Sequence, residues 1–141
     1  MATYLLKTEP SEFSFDDLVR DGSCTWDGVS NAAALIHLRA MRAGDEALIY
    51  HTGDEKAIVG LAKVSKGAFE DPKQPGTNDR GEPKFAVVNL KPIKRAKTPL
   101  MLAQIKSDAR FKTLPLVTQG RLSVMAVDAA MDKALRGVAG L

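Results

Sequence analysis

The chain has 141 residues, 45% of them hydrophobic and 26% charged, with a formal net charge of +3 and a single cysteine. That balance excludes a disordered or low-complexity chain and suits one domain, 1–141, large enough to bury its own core. Cys24 alone excludes an internal disulfide framework and a cysteine-built zinc site, and the mild positive charge is compatible with a nucleic-acid partner without requiring one.

The opening "MATYLLKTEP" has neither the basic leader nor the apolar centre of a signal sequence, so a cytoplasmic location is expected. No apolar run approaches the roughly 20 residues of a membrane span. Residues 3 to 7, "TYLLK", predict a first strand, stopped by Thr8-Glu9-Pro10 because proline cannot continue a central ladder. Residues 14 to 22 predict a short helix with Ser14 as N-cap, Asp17 three residues on and Gly22 as its stop. "CTW" is a brief extended piece. Asn31 can cap a second helix, with Leu35, Leu38 and Met41 on one face and Gly44 at its end.

Residues 45 to 52 and 57 to 69 are apolar runs joined by Gly53-Asp54-Glu55-Lys56, a hairpin of two central strands. Residues 70 to 84 carry three prolines and two glycines among charges and predict a long exposed loop. "FAVVNLKPIKRAK" resumes a strand whose Pro92 places its far end at an edge or a bulge. "TPLMLAQIKSD" predicts a helix with Thr98 as N-cap and Pro99 at its first position. After an irregular stretch, residues 122 to 127 predict a last strand, and Asp128 caps a closing helix whose apolar stripe suits the core of a monomer. Five or six strands with short helices between them, lacking strict strand and helix alternation, predict a mostly antiparallel, barrel-like α+β domain.

Glycine-rich phosphate loops, serine elbows and paired histidines at metal spacing are absent, so no metal and no cofactor is expected. Two strand ends concentrate polar groups instead: Lys7, Thr8 and Glu9 after the first strand, and Tyr50, His51 and Thr52 after the third. Alternation puts Lys7 and Glu9 on one face and Thr8 on the other. With Trp26, which stands among turn residues rather than core formers, these clusters suggest one concave site for a flat heteroaromatic ligand. The basic run 91 to 97 supplies Lys94 and Arg95, and Arg39 and Arg42 end the second helix. These four are the cations expected to meet a nucleic-acid backbone, beside the plainer reading of a solvated face. Cys24 reads as a small buried hydrophobe rather than a nucleophile.

"YLLKTEP", "WDGVSN", "LRAMRAGDEALIYHT", "IVGLAKV" and "RLSV", in this order from Tyr4 to Val124, resemble the EVE domain family, which belongs with the YTH and PUA-like domains. The resemblance implies a PUA-like pseudo-barrel with a pocket for a modified nucleobase, a cytosine substituted at carbon five, in DNA or RNA. Carried over, Lys7 and Thr8 look like the polar pair ending the first strand, with Glu9 next to them. Trp26 looks like the stacking wall, with Val29 beside it, and Asn31 like the helix-start group that meets the base edge. His51 and Thr52 would line the opposite side, Tyr50 would be the second cage aromatic, and Gly60 would let backbone come close. Arg121 and Ser123 would be rim residues. Where the family carries Arg-Asn after Gly-Val, this chain has Ser30-Asn31. Two other readings stand beside the non-enzymatic binding module: a nucleoside-amide hydrolase using Lys7, Thr8 and Glu9, and a small-molecule binder with no nucleic acid.

Overall fold

The computed structural model describes residues 1–141. In chain order its elements are β1 (Thr3–Thr8), α1 (Phe15–Asp21), β2 (Cys24–Trp26), α2 (Ala32–Ala40), β3 (Glu46–His51), β4 (Ala57–Glu70), β5 (Ala86–Met101), α3 (Leu102–Lys106), α4 (Pro115–Thr118), β6 (Val124–Val127) and α5 (Ala129–Ala139). A single 3-10 turn, Ala109–Phe111, lies between α3 and α4.

One six-stranded sheet runs in the order β2-β5-β4-β3-β1-β6. Only β1 and β3 pair in parallel; every other neighbour is antiparallel. The sheet is open, with β2 and β6 as its ends. Leu5, Leu6, Leu48 and Ile49, on the parallel pair, are buried on both faces. Helix α2 covers the sheet with Ala34, Leu35 and Leu38, packing on β4, β5 and β6.

The long strands β4 and β5 slip register four times along their pairing. Each extra residue bends and twists a strand, and repeated bulges curl a sheet. Pro92 sits at one such slip, opposite Ala62, and has no second neighbour because β2 reaches only Val88 to Leu90. The expected edge or bulge is therefore where the proline falls.

Thr98 and Pro99 do not open a helix. They belong to β5, which pairs Leu100 with Ile58 and Met101 with Ala57, and α3 starts only at Leu102. Residues 96–99 bulge opposite the single residue Val59, so Pro99 needs no ladder hydrogen bond there. Helix α2 stops at Ala40 instead of running to Gly44, and the last strand begins at Val124 rather than at residue 122. The caps predicted at Ser14, Asn31 and Asp128 are present: each side chain accepts a hydrogen bond from the backbone N–H three residues on, at 3.1, 3.0 and 2.8 Å.

Candidate functional site

Strand β2 ends at Trp26, held by β5 through the pairing of Trp26 with Val88. Gly28, at φ 77°, then turns the chain into Val29-Ser30-Asn31 and the start of α2. The end of β1 faces this corner, and a cleft of about 550 Å³ opens between them. Its apolar lining is Phe13, Cys24, Trp26 and Val29. Trp26 is only 8% exposed, yet it forms part of this wall. It meets Phe13 edge to face, ring centroids 6.1 Å apart at 84°.

Phe13 is the second aromatic of the cleft, a role sequence reasoning gave to Tyr50. A turn holds it there: the Glu12 and Phe13 amides both donate to Glu9 O, each at 2.9 Å, and Thr8 Oγ1 donates to Phe13 O at 2.6 Å. The signal in the sequence was an aromatic among the turn residues "PSEFS", the same feature that singled out Trp26.

Lys7, Thr8 and Glu9 all line the cleft, because β1 ends at Thr8 and strand alternation stops with it. Their hydrogen bonds point to holding the site together. Thr8 gives its proton to Phe13 O, and Lys7 Nζ donates to Gly120 O at 2.8 Å. No base therefore contacts the threonine hydroxyl. Burial pushes the Lys7 ammonium below its ordinary range. Glu9 Oε1 accepts from Ser11 N at 3.2 Å and from Ser11 Oγ at 3.1 Å, and Oε2 accepts from Thr52 Oγ1 at 3.2 Å. The Ser11 amide, first among these, holds the Glu9 carboxyl below the usual carboxylate range.

Asn31 lines the opposite wall. Its Oδ1 is committed to Ala34 N, which leaves the amide N–H groups as donors toward the cleft. Glu12, Asp27, Ser30 and Ser123 complete the polar lining, and Cys24 adds a thiol pushed up to about 11, first by burial and then by Asp21 and Asp27. One lysine thus faces three carboxylates, Glu9, Glu12 and Asp27. An arrangement of apolar walls with both acceptors and donors can hold a flat polar ring by its edge.

The third-strand cluster does not join it. Tyr50 and Thr52 line a separate cleft of about 230 Å³, which Lys7 also borders. His51 is buried: its Nε2 accepts from Phe15 N at 3.0 Å, so Nδ1 carries the proton and contacts Glu55 Oε2. The parallel register explains the split, since Lys7 stands beside Tyr50 and Thr8 beside His51. Gly60 lets Phe15 come close rather than a ligand: a Cβ there would lie 2.6 Å from the ring. Arg121 is exposed and does not line the cleft, whereas Ser123 does.

None of the four backbone cations lines the cleft. Arg39 is tied down, with Nε donating to Pro83 O at 2.7 Å and a terminal nitrogen to Lys84 O at 2.9 Å, so it pins the long loop. Arg95 pairs with Asp16. Arg42 and Lys94 are exposed and form no ion pair. No helix is long and apolar enough to cross a membrane.

Comparison with known proteins places this geometry in a family. The family model described as the EVE domain matches residues 2–136. Thymocyte nuclear protein 1 of Homo sapiens is 32% identical over 149 aligned positions, covering 86% of this chain and 66% of that protein. The chain thus spans just under two thirds of the length of that relative. A solved structure from Rhodopseudomonas palustris, 38% identical, superimposes with a TM-score of 0.88 over 99% of this chain and 94% of its own. Human THYN1 protein in complex with 5-methylcytosine containing DNA, 28% identical, superimposes with a TM-score of 0.89 over 100% of this chain and 99% of its own.

Proposed function

This chain belongs to the EVE domain family, and from that premise we propose that it binds a 5-substituted cytosine of DNA in the Trp26 cleft. The observation that carries the reading is the pairing of an aromatic wall, Trp26 against Phe13, with a rim holding both acceptors and donors. The full-length likeness to the THYN1 complex with 5-methylcytosine DNA points to the same ligand class.

The roles follow from the edge chemistry of cytosine, which offers an amino donor at N4 beside the N3 and O2 acceptors. Carboxylates accept well from the amino group, and Asp27 and Glu12 stand on the cleft. The free Asn31 N–H groups answer the acceptors, and the Trp26 face stacks on the ring. Val29, Phe13 and Cys24 supply the apolar surface that a C5 methyl group needs. A base can reach such a cleft only out of the stack, so a duplex target is flipped or already unpaired. The reading asks for binding alone, with the Thr8 hydroxyl donating to Phe13 O.

One methyl group is worth about 0.8 to 1.4 kcal/mol when buried, a preference of about four- to tenfold. Fluorescence anisotropy with matched single-stranded oligonucleotides, one cytosine against one 5-methylcytosine, should give that ratio. Asp27→Asn should weaken both and leave the fold intact. Equal affinity for the two oligonucleotides, with no loss on Asp27→Asn, would exclude the reading.

A further inference from the structure

The second cleft, about 230 Å³, has a chemistry the base site does not use. Lys7, Lys56 and Lys106 line it with no carboxylate among its lining residues. None of the three forms an ion pair anywhere in the fold. Three cations lining one cleft, with the Glu9 carboxylate behind Thr52 and Gly53, give it a positive rim that an anion complements. The floor supplies an independent pointer. Tyr50 is 3% exposed and borders the cleft, and its hydroxyl, which makes no hydrogen bond within the chain, keeps access to solvent. A buried phenol keeps its proton as a donor, and burial raises its pKa here.

The fold brings these groups together from three places. Lys7 and Tyr50 stand side by side in the parallel β1–β3 register, with Nζ 5.9 Å from the ring centre. Lys56 closes the β3–β4 hairpin, and its carbonyl accepts from Leu102 N at 2.8 Å, which docks α3 and its Lys106 on the turn. Glu9, which accepts from Thr52 Oγ1, lines the first cleft and not this one.

We propose that this second cleft is a phosphate site, formed by Lys7, Lys56, Lys106 and the Tyr50 hydroxyl, which holds the phosphodiester next to the base in the Trp26 cleft. The proposal rests on the base-binding reading for the identity of the strand, and Lys7, which borders both clefts, is the physical link. It also accounts for how an acidic base cleft retains a polyanion: the cations line the neighbouring cleft, which shares Lys7 with the first.

The test uses the Lys56→Gln/Lys106→Gln double variant, exposed positions whose change leaves the core intact, and Tyr50→Phe. Three titrations are compared with wild type: 5-methyl-2′-deoxycytidine, a single-stranded oligonucleotide carrying one 5-methylcytosine, and inorganic phosphate followed by amide NMR shifts at Gly53 and Lys56. The expected result is unchanged nucleoside affinity, several-fold weaker oligonucleotide binding, and a salt slope shallower by about 0.7 for the one lost phosphate contact. Phosphate shifts that saturate in wild type and vanish in the variants add free phosphate as a ligand; their absence alongside weakened oligonucleotide binding restricts the site to a strand phosphate, which also supports it. A protein that binds no nucleoside but keeps lysine-dependent phosphate shifts retains the phosphate site and loses the base reading. Unchanged oligonucleotide affinity and salt slope in the double variant, with no saturable phosphate shifts in wild type, would overturn the proposal.

Discussion

Trp26 is both a core residue and a wall, because its ring packs on Phe13 while part of its surface still borders the cleft. Truncating it would therefore test stability as much as binding: Trp26→Ala should cost about 3 to 5 kcal/mol of fold stability, read by chemical denaturation. Cys24, on the same wall, gives a cleaner probe. Its thiol, pushed from 9.0 to about 11 by burial, is un-ionised at neutral pH, so alkylation at pH 8 should run about a hundredfold slower than for a free thiol of ordinary pKa. The sign for stability is set by the raised value: the unfolded thiol ionises first, so its contribution is full below pH 9.0 and is lost as pH rises toward 11. A ligand in the cleft should slow the alkylation further. At this scale the sequence marked Trp26, Asn31 and the Lys7-Thr8-Glu9 cluster, which the fold brings to one cleft, because each stood at a strand end or helix cap. Phe13 and Asp27 were legible only as neighbours of such positions, and His51 misled because a strand-end histidine looks identical whether it faces a ligand or a backbone N–H.

Elements meet through a few polar ties that local patterns cannot reveal. Arg136 on α5 donates to Glu46 at 2.8 Å, to Asp132 at 2.7 Å and to Thr3 Oγ1 at 3.1 Å, joining the closing helix to β1 and β3. Arg136→Met would leave two half-buried carboxylates without their partner and should cost about 1.5 to 3 kcal/mol, measured by urea unfolding. The His51 latch between α1 and β3 should behave alike: His51→Ala leaves Phe15 N without its acceptor, at about 1 to 3 kcal/mol. Gly60→Ala drives a methyl group into Phe15 and should destabilise by about 1 to 3 kcal/mol without touching the cleft. Strand and helix identities were readable from apolar runs and caps, which act over a few residues. The Thr98-Pro99 error arose because the same dipeptide suits a helix start and a strand bulge, and only the partner strand, about 40 residues earlier in the chain, decides between them.

The whole molecule is an open, curled sheet whose two polar strand ends serve two neighbouring clefts, with Lys7 shared between them. One cleft is acidic and aromatic, the proposed seat of a base; the other is cationic, the proposed seat of a phosphate. The sequence pointed to both polar strand ends but read them as one site, since chain order alone does not show that the end of β3 opens on a different cleft from the end of β1. In the proposed function Trp26 stacks a 5-substituted cytosine. Because Trp26 is the only tryptophan, its fluorescence titrated with 5-methyl-2′-deoxycytidine and with 2′-deoxycytidine reports on that contact alone. Saturable quenching by both, about four- to tenfold tighter for the methylated nucleoside, is the expected result. Unquenched emission up to saturating nucleoside would contradict the account.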